Sequence, residues 1–285
     1  MRGPSLRIGG QAVIEGVMMK SERSLAIAVR DRKGVSVKTR TLKKKRGWTK
    51  LPIVRGIVNL VEMLVIGMQA LNYSMEKATG EENKLSALTM FLIMAFSLVF
   101  AVAIFKFIPL IVAQVIVGET RHAWLFSLID GLAKIIIFFL YVYLIGRMKD
   151  IRRVFKYHGA EHMTVHCHEA GLPLTVRNAR RFSPIHARCG TSFIVFVLIV
   201  GIIVYSFIPM GSTFLQKFLI RLALLPLIAG LAYEFLRLEH LFRDNALYLL
   251  LLSPGLLFQR LTTAQPSDSM IKVAIAALAK VRRMG

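Results

Sequence analysis

Apolar positions along the chain fall into long runs, and the runs predict membrane-crossing helices. A transmembrane helix needs about 20 mostly apolar residues. Leu85–Phe105 meets this without a charge and, after Lys106, continues apolar to Val117, with Pro109 as a kink or stop. Ala123–Gly146 is the second run, and its Asp130 and Lys134, four residues apart, share one helical face where they can pair. Thr191–Ile208 is the third. Phe214–Tyr233 is the fourth, with Lys217 and Arg221 near its start, where long side chains can snorkel outward. Two runs are weaker. Val54–Tyr73 carries Arg55, Asn59 and Glu62 and reads as an amphipathic interfacial helix. Ala246–Phe258 is too short to span and holds Ser253-Pro254-Gly255, so it reads as re-entrant or interfacial.

The polar regions have patterns of their own. Ala12–Met19, Leu25–Arg30 and Val35–Thr41 are short, rich in Val and Ile and separated by turns, which predicts a small antiparallel meander. Gly9-Gly10 and Gly16 mark tight backbone at its start. Ser267–Arg283 repeats Ile271, Ala274, Ile275, Leu278 and Val281 at helical spacing, an amphipathic helix that packs on the domain or on the bilayer surface. The expected fold class is mainly α: a polytopic bundle of about four transmembrane helices with a small N-terminal β meander and a cytoplasmic His/Cys-rich loop. The expected order is a basic β region (1–53), an interfacial helix (54–84), a transmembrane hairpin (85–146), the loop (147–190), a second hairpin (191–236) and a C-terminal region (237–285).

Composition then fixes the orientation. The 285 residues are 55% hydrophobic yet carry 38 Lys+Arg against 16 Asp+Glu, a formal charge of +22. A soluble nucleic-acid binder of that charge is not this apolar, and so hydrophobic a chain is not disordered. Residues 1–55 hold 15 Lys/Arg against three acids, and 147–190 hold nine, while 118–122 and 209–217 hold one each. Positive-inside logic places both termini and the 147–190 loop in the cytoplasm of a multi-pass inner-membrane protein. The first 20 residues lack a signal-peptide core. The run Lys43-Lys44-Lys45-Arg46-Gly47-Trp48 reads as a juxtamembrane anchor for anionic lipid headgroups. One Trp beside four cations is not the interleaved pattern of a nucleic-acid platform. A homo-oligomer stays open, and so does the substrate.

Candidate chemistry concentrates in the basic loop. Five of the seven histidines and both cysteines lie between residues 158 and 189. On a helix, His158 and His162 sit at i and i+4 and can hold one zinc-class ion. His158-x-x-Glu161-His162 is the inverzincin order, in which the Glu is general base on metal-bound water. Cys167, His186 and Cys189 are candidates for further ligands. Either histidine with Cys167, His186 and Cys189 makes a closed, structural site. His158 and His162 plus a carboxylate, from Glu234 or Glu239, make an open, catalytic one. Both remain open. Arg188 suits an anionic group or lipid headgroups. His166 and His168 read as bystanders, and a reducing cytoplasm disfavours a Cys167–Cys189 disulfide.

Four blocks carry a family resemblance. They are Gly9-Gly10-Gln11-Ala12-Val13-Ile14-Glu15-Gly16-Val17-Met18-Met19, His158-Gly159-Ala160-Glu161-His162, His186-Ala187-Arg188-Cys189-Gly190-Thr191-Ser192-Phe193, and Pro254-Gly255 with Gln259-Arg260-Leu261-Thr262-Thr263. In this order they resemble the YqhQ-like bacterial membrane proteins. The resemblance implies a metal-dependent enzyme of the bacterial inner membrane, with a divalent metal, zinc by its donors. The positions it carries over are His158, Glu161, His162, Cys167, Glu169, His186, Arg188 and Cys189, together with Glu15 and Glu234. The expected function is a metal-dependent hydrolase with Glu161 moving the proton and Arg188 holding an anionic group. The rival is a membrane-anchored scaffold or assembly factor in which zinc is structural and the basic N-terminal region recruits a partner. Transport through four spans with one Asp–Lys pair has little polar lining to work with.

Overall fold

The computed structural model describes residues 8–43, 47–80, 86–118, 123–208, 213–242 and 245–284. The core of the basic run (44–46), the Trp48 side chain and the 119–122 and 209–212 connections lie outside the described residues.

Four strands form one antiparallel sheet in chain order: β1 (Gly9–Val13), β2 (Gly16–Lys20), β3 (Ser24–Asp31) and β4 (Gly34–Thr41). The single strand expected over Ala12–Met19 is a hairpin, since Val13 pairs with Gly16 and Ala12 with Val17. Its turn places Glu15 at a φ of 52°. Arg153 and Tyr157 hold the Glu15 carboxylate there, with the Tyr157 hydroxyl donating at 3.3 Å. No Gly or Asn occupies that turn position, so local sequence gave no signal for it.

Both faces of the sheet are covered. One face, with Val17, Met19, Ala26 and Ala28, packs against α5 (Lys149–Glu169) and α12 (Asp268–Met284). The other, with Val13, Met18, Leu25, Ile27 and Val29, packs on Ile66 and Ala70 of α1 (Val54–Thr79). Double burial explains why β2 and β3 read as nearly continuous apolar runs rather than alternating ones. The amphipathic C-terminal helix therefore packs on the domain, burying Ile271, Ala274, Leu278 and Val281.

The remaining helices are α2 (Ala87–Val102), running through a π turn (Ala103–Phe107) into α3 (Ile108–Val117); α4 (Ala123–Ile145); the single turn α6 (Val176–Ala179); α7 (Gly190–Tyr205); α8 (Phe214–Ala223) and α9 (Leu225–Arg237); the single turn α10 (Glu239–Phe242); and α11 (Ala246–Thr262). Three helical stretches are long and apolar enough to cross a membrane: α1, α2 with α3, and most of α4; α8 and α9 make a fourth if their 43° bend is one broken span. α1 was not expected among them, and half of it is already committed to the sheet. α7, expected within a span, is an apolar helix of 16 residues, shorter than those three, and buries Val195, Phe196, Gly201 and Tyr205.

α8 corrects the expectation for Lys217 and Arg221. They do not snorkel outward: they are its only buried residues, while Leu215 and Leu219 face out. Phe91, Phe96 and Leu98 of α2 are likewise exposed. Apolar outside with charge inside is the pattern for apolar surroundings, the reverse of a water-soluble domain.

Candidate metal centre

α5 starts afresh after a break at Gly146–Met148 rather than continuing α4. Its face arithmetic places the site. At about 100° per residue, His158, His162, His166 and Glu169 fall on one stripe, while Cys167, nine residues from His158, falls on the opposite side. Cys167 accordingly packs in the core against the sheet and α12, its thiol reaching the Pro173 carbonyl at 3.5 Å, and burial pushes that thiol's pKa up.

The loop from Pro184 to Cys189 lies over the stripe and turns it into two clusters. His158, His162 and Cys189 bring ligand atoms within 4.8 Å of one another, and His166, Glu169 and His186 do the same beside them. The His158 and His162 rings are 4.3 Å apart, and His166 lies 4.3 Å from His186, so His166 is no bystander.

Hydrogen bonding separates the clusters. His158 Nδ1 is 2.9 Å from the Thr262 carbonyl oxygen, and His162 Nδ1 is 2.6 Å from that of Pro184. A carbonyl only accepts, so both Nδ1 atoms carry the proton and both Nε2 atoms present lone pairs. His158 Nε2 faces Cys189 Sγ at 3.2 Å, and His162 Nε2 faces Glu161 Oε2 at 3.5 Å. Outer bonds that fix the tautomer in this way are the hallmark of metal-ligating histidines.

His186 is committed otherwise. Its Nδ1 accepts the Arg188 backbone N–H at 3.1 Å, which leaves Nε2–H to donate to Glu169 Oε2 at 3.2 Å. Arg188 clamps the same carboxylate. In the second cluster His186 and Arg188 thus share the Glu169 carboxylate, while His166 Nε2 donates to the Ile185 carbonyl at 2.9 Å. In it, burial lowers the His166 pKa to about 4.

Glu161 is buried. Burial pushes its carboxyl pKa up, opposed by the nearby His158 and His186 and by a Gly10 backbone N–H. The glycine is required: a Cβ on Gly10 would lie 2.7 Å from Glu161 Cγ. Burial also pushes the His162 pKa down. Gly159 lets the 262–264 segment cross α5, since a Cβ there would meet the Ala264 carbonyl at 2.3 Å. That crossing delivers Thr262 O to His158.

Sequence reasoning missed Gln259. Fully buried on α11, it accepts the His186 N–H at 2.9 Å and donates to His186 O at 2.9 Å and to Ser192 Oγ at 2.8 Å. It pins the loop that carries Cys189. Its place beside Thr262 in a matched block was the available signal.

The other carboxylates lie apart. Glu15 is held by Arg153, and Glu234 accepts from Arg55 Nε at 2.7 Å and from Ile53 N–H at 3.2 Å. The Glu239 side chain lies outside the described residues. His158, His162, Glu161, Cys189 and Arg188 line a cleft of about 1220 Å³. Its far wall includes Arg55, Asn59, Tyr233 and Arg237, from α1 and α9.

Residues 51–284 match the family described as "Protein of unknown function (DUF1385)". The chain is similar to the "Uncharacterized protein YqhQ" of Bacillus subtilis (strain 168), 36% identical over 301 residues, which cover 97% of this chain and 92% of that protein. No solved structure matches it. The chain belongs to this YqhQ-like family.

Proposed function

We propose that this member of the family is a membrane-bound, metal-dependent hydrolase whose site opens on the cytoplasmic face. One observation carries the reading. Two imidazoles, one buried and one half-buried, each pinned through Nδ1 by a backbone carbonyl, aim Nε2 lone pairs at a thiol and a carboxylate along an open cleft. Groups that only accept have been gathered with no donor among them except a thiol or a protonated carboxyl. A zinc-class cation resolves that arrangement. Two nitrogens and one sulfur make three protein ligands, the number that leaves a position for water.

When bound, the ion supplies Lewis acidity and a water of lowered pKa. His158, His162 and Cys189 hold it. Glu161 receives the proton at Oε2 and returns it to the leaving group, and burial, which raises its pKa, favours holding that proton. Arg188, fixed by Glu169 at the cleft, supplies the positive charge for an anionic group of the substrate. The Pro184–Cys189 loop, pinned by Gln259, keeps these groups in register. The one-sided cation count and the apolar helices support the inner-membrane, cytoplasm-facing placement.

Elemental analysis of the detergent-purified protein tests the reading. The expected result is about one zinc-class ion per chain. Glu161→Gln should keep the metal and lose hydrolysis across a panel of ester, amide and phosphoester probes. Wild-type protein that stays metal-free after zinc repletion overturns the proposal. A Glu161→Gln variant stripped of metal overturns the role given to Glu161.

A further inference from the structure

A second polar cluster lies inside the helical bundle, at the other end of α7 from Cys189, about 24 Å along that helix. Lys106 sits in the π turn, Asp130 and Lys134 on α4, Tyr205 at the end of α7, and Lys217 and Arg221 on α8. Asp130, Lys134, Lys217 and Arg221 are all at least nine-tenths buried. Lys134 and Arg221 both bind Asp130 Oδ2. Arg221 also donates to Ser127 Oγ at 3.3 Å. Lys106 donates to the Tyr205 hydroxyl at 2.8 Å, and that hydroxyl donates to the Arg221 carbonyl at 3.0 Å.

The charges do not balance. Among the described residues, four cations surround one carboxylate, an excess of three. Arg221 Nε and Asp130 Oδ1 are buried without a hydrogen-bond partner. The Lys217 ammonium stands 4.7 Å above the Phe126 ring, and that of Lys106 stands 4.9 Å above Tyr205. The Arg221 guanidinium lies between them, 5.4 Å from the first ring and 4.7 Å from the second. Ring faces attract cations but cancel no charge, and unpaired buried ammonium groups are strongly unfavourable in an apolar bundle.

Two helix irregularities lie at the same place. The π turn carries Lys106, and the 43° bend, at Leu224, follows Arg221 by three residues. π turns recur at functional sites, and irregular helix at membrane depth persists where it is buried in protein or lines a cavity.

We propose that this cluster is an anion site for a phosphate-class group, with Lys106, Lys217 and Arg221 Nε as its donors. Asp130 orients Arg221 and Lys134, and its unpartnered Oδ1 suits a protonated oxygen of the ligand. An excess of three charges spread over two aromatic rings calls for a multivalent oxyanion rather than a halide. That chemistry is shared by free phosphate and by an anionic lipid headgroup.

The test uses the full chain. Thermal unfolding is followed in lipid-free detergent with inorganic phosphate or chloride at matched ionic strength, and in nanodiscs of phosphatidylglycerol or phosphatidylcholine. A saturable rise in Tm with phosphate identifies a soluble anion, and a rise confined to phosphatidylglycerol identifies a headgroup. Lys217→Gln and Lys106→Gln should each raise Tm without anion and weaken the responding probe about tenfold. Equal shifts with chloride and phosphate and none specific to phosphatidylglycerol overturn the proposal. So does no shift with either probe, or a response unchanged in both variants. Metal content at the cleft is read separately and is expected not to move.

Discussion

The cleft and the bundle cluster are both polar islands in apolar surroundings, but they are incomplete in opposite senses. Around His158 and His162 lone pairs are in surplus: the imidazole N–H donors have been drawn off to Thr262 O and Pro184 O, and the two Nε2 atoms face a thiol and a carboxylate. Around Arg221 the surplus is of cations: Arg221 Nε lacks an acceptor, and one carboxylate, whose own Oδ1 lacks a donor, is shared between two cations. The difference teaches that buried polarity carries a sign. Surplus lone pairs call for a cation, and surplus N–H groups call for an anion.

Asp130→Asn should break the comparison most severely. It leaves four cations without a carboxylate, and losing one partner of a buried pair costs about 3–5 kcal/mol. Denaturant or thermal unfolding should show the loss, and phosphate should restore part of it. If stability is unchanged, the cations are neutral in the folded protein and the contrast in sign disappears.

His158→Ala comes next. Removing an outer-shell partner already weakens metal binding about 10–100-fold, so losing the ligand itself should weaken it at least 100-fold. Zinc competition against a chromophoric chelator measures this, and Cys189→Ala should match it. Asp130→Asn should leave zinc affinity unchanged, which separates the two islands.

Gln259→Leu should act on the cleft from outside. It leaves the His186 N–H and carbonyl without their side-chain partners, a cost of about 1–3 kcal/mol. Zinc affinity should fall about tenfold as the loop bearing Cys189 loosens. Unchanged affinity would mean that the loop is held without Gln259.

How much of this was legible before folding depends on the range of each cause. The His158–His162 pair, the amphipathic C-terminal helix and the helical bundle follow from local periodicity, and the sequence carries them. The same i+4 count reaches His166, which was set aside although it lies on the stripe. The Glu15 turn was hidden, because its left-handed backbone is held by Arg153 and Tyr157, over 130 residues away. The inward turn of Lys217 and Arg221 was hidden too, since a helical wheel shows a charged face but not which side the bundle will cover. The tautomers depend on the carbonyls of Thr262 and Pro184, and no side-chain pattern announces a carbonyl.

The smallest effect decides the most. Cys167 belongs to the His/Cys cluster in sequence and to the resemblance, and a closed structural zinc site would use it as the fourth ligand. Its position on α5 argues the reverse. It is half a helical turn from His158 and packed among Ala179, Met270 and Ala274. Cys167→Ala should therefore leave zinc stoichiometry and affinity unchanged and cost about 1 kcal/mol or less through a small cavity. Loss of zinc in this variant would mean that α5 rotates to bring Cys167 to the ion, making the site closed and favouring the scaffold. Retention of zinc in Cys167→Ala, with loss in Cys189→Ala, leaves three ligands and a vacant fourth position facing the cleft, where a substrate can reach it.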